Sequence, residues 1–296
     1  PLQGGAERFR VTLKRKWGAA SGLPLRAIYW ESGDENLMAE TRSLQPAITV
    51  VNLALWFYVC GRFDPVCAAG HSLGEFSALG AAGVLDVDRL IEIVALRGRL
   101  MAEADPDHVG TMYAVLRLGL DEVEAVAKDV CDRTGKLVRV ANRNTPGQFA
   151  VSGHREAVEE LVEEVRNRKG KAIPLAVSGA FHTPLMAEAS AEFAKELDRQ
   201  DWHDARFPVY CNVNGEALIE GEKIHAAVRR QMASSVFWVD TVGNQWNAGV
   251  RRWVEFGPKG VLTRMVRPIL TACNAPDGAY TTEHIPNLDA AAAFVG

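Results

Sequence analysis

Gly70-His71-Ser72-Leu73-Gly74 is where residue types and spacing most directly offer chemistry. A G-x-S-x-G between an apolar run and a helical pattern makes a tight strand-to-helix turn that lifts the serine hydroxyl clear of the sheet. Small flanking residues let strand and helix approach closely, and the backbone N–H of Leu73 points where an oxyanion would form. The helix N-terminus brings a positive dipole end beside the nucleophile. The plain alternative is an ordinary Gly-rich βα loop with a capping serine.

A serine nucleophile needs a base. Of the seven histidines, His108, His154, His203, His225 and His284 sit among polar or charged residues and read as solvated. His71 adjoins the serine on a sharp turn, so its side chain cannot point the same way. His182 lies between Val177 and Pro184, after an expected strand and before a helix. That is where α/β proteins place functional groups; a packed or capping histidine is the competing reading. Arg97 is a second, independent clue. Leu90, Ile93, Val94, Arg97 and Met101 form one stripe at steps of three and four residues, so Arg97 projects from an apolar helix face. A buried arginine requires an anionic partner. Either a structural ion pair or a bidentate clamp for a substrate carboxylate would satisfy it.

These residues need elements to hold them. Pro46 to Tyr58 is apolar nearly all round and predicts a buried helix. Asp64 to Gly70 reads as a short buried strand, Glu75 to Val84 as the helix after it, and Asp88 to about Ala104 as an amphipathic helix capped by Asp86 or Asp88. The middle of the chain changes rhythm: strand Thr111–Leu118, helix Leu120–Val130, strands Lys136–Ala141 and Gln148–Ser152, helix Arg155–Arg168 and strand Lys171–Val177. That β-α-β-β-α-β order is the split ferredoxin-like pattern. It places a small domain over 108–175, inserted into a larger α/β domain formed by 1–107 and 176–296.

Composition bounds the function. Hydrophobic residues at 48% and charged residues at 24% fit a globular chain that buries a sizeable core. A net charge of -4 argues against a dedicated nucleic-acid binder. The longest apolar stretch, Ala47 to Cys60, is too short for a bilayer span of about 20 residues. Pro1 to Ala6 shows no signal-peptide pattern. Five cysteines without metal-ligand spacing point to a reduced, cytoplasmic setting.

Taken together, five ordered segments resemble the malonyl-CoA:acyl carrier protein transacylase family, which includes the acyltransferase domains of polyketide synthases. They are Gly70 to Leu79, Arg97 to Met101, Ala141 to Gln148, Gly179 to Met186 and Val254 to Pro258, and the similarity runs from about Thr41 to Ile269. The resemblance implies an α/β-hydrolase-like large domain with a ferredoxin-like insert, and a ping-pong acyl transfer in the cleft between them. Ser72 would take the acyl group from malonyl-CoA, with His182 as its general base. A backbone carbonyl at Gln231 would orient that histidine in place of an acidic third member. Arg97 would hold the malonyl carboxylate, and Asn142 and Asn144 are candidate substrate-binding residues. The oxyanion hole would combine the N–H groups of Leu73 and Gln3, the latter in Pro1-Leu2-Gln3-Gly4, which departs from the family's Pro-Gly-Gln-Gly by one leucine. Against the family pattern the chain begins at this motif and is about a dozen residues shorter after it. Phe181 before the histidine goes with malonyl rather than methylmalonyl, a steric choice worth only about 1–3 kcal/mol. The acceptor would be the phosphopantetheine thiol of an acyl carrier protein, with the enzyme acting as a monomer and needing no metal or redox cofactor.

Two rivals remain open at this point. A serine esterase or thioesterase would use water in place of the carrier thiol; Arg97, the insert and the lack of an HGGG-type loop speak against it. A non-catalytic docking module of a larger synthase is opposed by intact Ser72 and His182. A free-standing enzyme and a domain cut from a synthase fit the sequence equally.

Overall fold

The computed structural model describes residues 21–25, 27, 28, 34, 38, 40–62, 64–177 and 179–295. Gln3 and the Pro1–Gly4 motif lie outside the described residues.

Helix α1, Thr41–Val59, continues as a turn of 3-10 helix over Cys60–Arg62. This stretch exceeds the sequence expectation: from Thr41 to Arg62 it is 22 residues long and apolar enough to cross a membrane by length and composition. It is instead a core helix, with Leu53, Leu55 and Val59 fully inside the protein. Strand β1 is only Ala68–Ala69, far shorter than the predicted 64–70. Pro65 has no N–H to give a ladder, and pairing begins only after it. β1 runs parallel to β6, Val209–Tyr210, which pairs antiparallel with β7, Ala217–Leu218.

Helix α2, Leu73–Ala82, follows β1 directly, and Gly83 ends it in the left-handed conformation. Helix α3, Val87–Glu103, is capped by Asp86, whose carboxylate accepts from the N–H groups of Asp88 and Arg89. Its predicted stripe is the buried face: Leu90, Ile93, Val94, Arg97 and Met101 are all inside.

The middle segment forms β2 (Gly110–Leu116), α4 (Leu120–Thr134), β3 (Val138–Thr145), β4 (Gln148–His154), α5 (Arg155–Asn167) and β5 (Lys171–Pro174). Its four strands make one sheet in the order β3-β4-β2-β5, every pair antiparallel. Side-chain alternation sends Val115, Phe149 and Val151 toward Val126, Leu161 and Val165 of α4 and α5. The opposite face gives Met112, Ala141 and Ala150 to the main core, which they share with Phe76, Leu90 and Phe193. β3 carries two irregularities, between Val140 and Asn142 and between Arg143 and Thr145. Beside them Val236 N–H donates to Ala141 O and Arg143 N–H to Val236 O, tying the edge of this sheet to the segment that follows Gln231.

The rest comprises α6 (Ala187–Leu197), α7 (Gly221–Gln231), α8 (Trp238–Asn247), α9 (Val261–Ala272) and α10 (Leu288–Val295), with β8 (Arg252–Phe256) parallel to β9 (Thr281–Ile285). The architecture is α/β, with mixed sheets and helices packed on them.

Candidate active site

The turn from β1 into α2 is built around backbone proximity. A Cβ on Gly70 would lie 2.0 Å from the carbonyl carbon of Gly74, so no other residue fits there. Gly74 itself has open space around its Cα, and the steric demand falls on the first glycine alone. Ser72 sits at φ 49°, ψ −104°, a conformation that costs an L-residue about 1–3 kcal/mol and persists only where its surroundings enforce it. Asn212, fully buried after β6, supplies that enforcement. Its Oδ1 accepts from Ser72 N–H at 2.6 Å, and its Nδ2 donates to Gly70 O at 2.7 Å. The Leu73 N–H, first of the helix, has no acceptor among the described residues, as an oxyanion donor requires.

Ser72 Oγ lies 2.8 Å from His182 Nε2. The other ring nitrogen, Nδ1, lies 3.1 Å from both Gln231 O and Ser234 O. Backbone carbonyls only accept, so Nδ1 carries the hydrogen and Nε2 presents its lone pair to the serine hydroxyl. His182 is 3% exposed. Burial, then the neighbouring Arg97 and His71, push its imidazole down to about 3, against the upward pull of the two carbonyls. The ring is therefore neutral throughout the ordinary pH range and ready to take a proton.

Arg97 meets the serine from α3. Its Nη2 donates to Ser72 Oγ at 3.1 Å and to Gln231 Oε1 at 3.0 Å, while Nη1 donates to Gln45 Oε1 at 2.6 Å. The guanidinium also lies over the Phe76 ring, 5.4 Å from its centroid. It is 1% exposed, and its Nε is buried without a partner among the described residues. No carboxylate among the described residues stands within ion-pair distance, so the structural ion pair weighed from sequence is absent from that range. Desolvation lowers Arg97 to about 10, with Glu75 acting in the other direction.

Gln231 does more than lend a carbonyl. Its side chain donates to Ser72 O and to Glu75 Oε2, both at 2.8 Å, as well as accepting from Arg97. Asn144 is buried and faces His71, whose Nε2 lies 2.8 Å from Asn144 Oδ1, with Trp238 against the ring. His71 thus turns away from Ser72, and burial lowers its pKa. Asn142 is half-buried and its Oδ1 has no partner among the described residues. Phe181 is packed into the main core. Three histidines expected in solvent have structural partners instead. His225 stacks on Trp202 and faces Asp198, His154 Nδ1 accepts from Leu137 N–H, and His284 Nε2 meets Gly257 O. His108 and His203 are exposed.

The structure therefore brings Ser72, Leu73, His182, Arg97 and Gln231 together, with Asn144 tied to the neighbouring His71. Sequence reasoning missed Asn212, Ser234, Gln45 and Glu75. Glu75 carried a readable signal, since an acid on the first turn after the serine sits beside the site by helical geometry alone.

A nucleophilic serine, an imidazole oriented by carbonyls and a buried guanidinium form a site for acyl transfer. Residues 18–295 match the model of the acyl transferase domain family. The chain belongs to the acyl transferase domain family. Among its curated relatives, the malonyl CoA-acyl carrier protein transacylase of Staphylococcus aureus is 38% identical over 237 residues, covering 80% of this chain and 76% of that one. Its Haemophilus influenzae counterpart is 35% identical over 244 residues, covering 81% and 78%. Among solved structures, an acyl carrier protein S-malonyltransferase from Vibrio cholerae superposes with a TM-score of 0.89 at 31% identity, covering 99% of this acyl transferase and 94% of that chain. A malonyl-transacylase in complex with a type II polyketide synthase acyl-carrier protein gives 0.89 at 31% identity, covering 97% and 91%.

Proposed function

We propose that this acyl transferase moves a malonyl group from malonyl-CoA to the phosphopantetheine thiol of an acyl carrier protein, through an ester on Ser72. The observation that carries the reading is Arg97: a buried cation 3.1 Å from the nucleophile, with only neutral partners in hydrogen-bond range among the described residues. An acyl group that bears its own carboxylate pairs it, and a guanidinium offers two parallel donors for the purpose.

In the first half-reaction Ser72 Oγ attacks the thioester carbonyl and passes its proton to His182 Nε2. The imidazolium that forms is held through Nδ1–H by Gln231 O and Ser234 O. The Leu73 N–H and, in this reading, the N–H of Gln3 receive the oxyanion. Collapse expels the coenzyme A thiolate, which recovers the proton from His182. The second half runs the same path with the carrier thiol as nucleophile. Asn142 and Asn144 would contact the substrate, and Phe181 would narrow the space beside the malonyl α-carbon. Nucleophile, base and charge are all side chains or backbone of one chain, so the reading calls for no metal or redox cofactor and takes the monomer as the acting unit. Five unpaired thiols fit a reducing, cytoplasmic setting.

We read the architecture as an α/β-hydrolase-like domain, 1–107 and 176–296, with a ferredoxin-like insert at 108–175. The β3-β4-β2-β5 order and the two helices on one face support the second part.

The test is intact-protein mass after mixing with malonyl-CoA, then after adding holo acyl carrier protein. A malonyl adduct on Ser72 that the carrier discharges is expected. Adduct lost to water at the same rate with and without carrier would make the chain a thioesterase.

A further inference from the structure

Glu75 is the buried carboxylate at this site that the reaction above leaves unused. It stands on the first turn of α2, three residues past the nucleophile, and is 1% exposed. Its Oε2 accepts from Gln231 Nε2 at 2.8 Å and its Oε1 from Asn212 N–H at 3.2 Å. One glutamine side chain therefore joins Glu75 to Arg97 and to the backbone of Ser72. Among the described residues, the charged and titratable groups around Glu75 are Arg97 on α3, Cys211 after β6 and, beyond Ser72, His182 and His71. Burial raises Glu75 to about 7, with Gln231, Asn212, Cys211 and Arg97 pulling the other way. Cys211 is driven upward and stays a thiol, while His182 and His71 are driven downward and stay neutral. Glu75 is thus the group of this set that exchanges a proton near neutrality.

We propose that Glu75 is the counter-charge of Arg97 and takes up a proton when a malonyl carboxylate settles on that guanidinium. The proposal rests on the reading of Arg97 as the malonyl clamp. Before loading, ionised Glu75 and Arg97 leave the buried pocket neutral. A malonyl carboxylate then puts two acids beside one buried cation, and such pairs hold one proton between them. Glu75 is the acid with the weaker claim on the charge, because its bonds come from an amide side chain and a backbone N–H, while the malonyl group would meet the guanidinium directly. Proton uptake keeps the pocket neutral after loading. An acetyl group brings no carboxylate and calls for no proton.

The experiment is acyl loading of the whole protein in weak buffer with a pH-indicator dye, using malonyl-CoA and acetyl-CoA at matched extents of adduct. Both release the same thiol, so the difference isolates the pocket. The expected excess uptake with malonyl is small near pH 6, where Glu75 is already protonated, and rises toward one proton per adduct near pH 8. Glu75→Gln, neutral at every pH, should remove the excess while still loading malonyl. Equal proton counts for the two thioesters in the wild type overturn the proposal without need of any variant, as does an excess that persists in Glu75→Gln. Absence of a malonyl adduct in the wild type would instead overturn the function itself.

Discussion

Replacing Arg97 by alanine removes two things that can be separated by choice of substrate. The first is common to every acyl group. Gln45 Oε1 and Gln231 Oε1 lose their guanidinium donors inside the core, and a buried acceptor left without a partner costs about 1–3 kcal/mol. That loss lowers stability and loosens Gln231 for malonyl and acetyl alike. The second concerns malonyl alone. Its carboxylate would sit beside Ser72, in a pocket where Arg97 is 1% exposed, with no cation to pair it. Breaking a buried pair from one side costs roughly 3–5 kcal/mol. At about 1.4 kcal/mol per tenfold, that is a loss of about 10²- to 4 × 10³-fold in kcat/KM for malonyl loading beyond any loss for acetyl. Arg97→Lys should recover part of the difference, since an ammonium supplies charge without the fork that reaches Ser72, Gln231 and Gln45 together. The assay is single-turnover loading from malonyl-CoA and acetyl-CoA, with carrier-dependent turnover measured in parallel. An equal fall for both thioesters would refute the reasoning: Arg97 would then be a structural residue, and malonyl preference would need another cause.

Ser72→Ala should abolish adduct formation while leaving the melting temperature near that of the wild type, as intact mass and thermal unfolding will show. His182→Ala should slow both half-reactions by roughly 10²- to 10⁴-fold, because one imidazole serves loading and discharge; an unaffected half-reaction in single-turnover kinetics would point to another base. With His182 neutral down to about 3, loading should not fall as pH drops from 7 to 5, and a pH–rate profile that declines through 6.5 would contradict that. Asn212→Ala should let the turn at Ser72 relax and reduce loading from malonyl-CoA and acetyl-CoA by similar factors, about 10- to 10²-fold, given a strain of about 1–3 kcal/mol at Ser72. A selective loss of malonyl would place Asn212 in substrate recognition instead.

The parts of this site that the sequence disclosed are those with a local signature. Ser72 stands in a pentapeptide whose first glycine is sterically obligatory, and the following helix begins where the apolar pattern starts. Arg97 betrayed itself by interrupting an apolar stripe, a feature of a single helix that needs no tertiary information. The small sheet was legible through its order of elements, and its two helices, α4 and α5, each bury one face at the helical period. β1 was not. Its two paired residues sit in an apolar run that reads longer, and only the partner strand, about 140 residues away, decides where pairing starts.

What stayed hidden acts through bonds that join distant parts of the chain. Asn212 lies between Cys211 and Val213 in a stretch of turn-forming residues, and nothing nearby says that its amide will clasp both Gly70 and Ser72. Gln231 was assigned by resemblance, and only for its carbonyl. Its side chain proves to be the junction among Ser72, Arg97 and Glu75. Glu75 stands on a first helical turn, where an acid is favoured because negative charge meets the helix dipole. A solvated acid there would add a few tenths of a kcal/mol. A buried one is a different object, because its charge has to be matched by Arg97 and its oxygens by Gln231 and Asn212. The backbone of Ser72 is thus held from both sides by two amide side chains, Asn212 at its N–H and Gln231 at its O, and Gln231 alone of the two reaches on to Arg97 and Glu75. Both amides hold the one turn at Ser72, so Gln231→Ala and Asn212→Ala combined should cost less than the sum of their separate effects. Simple additivity in that double-mutant cycle would show that the two amides work independently.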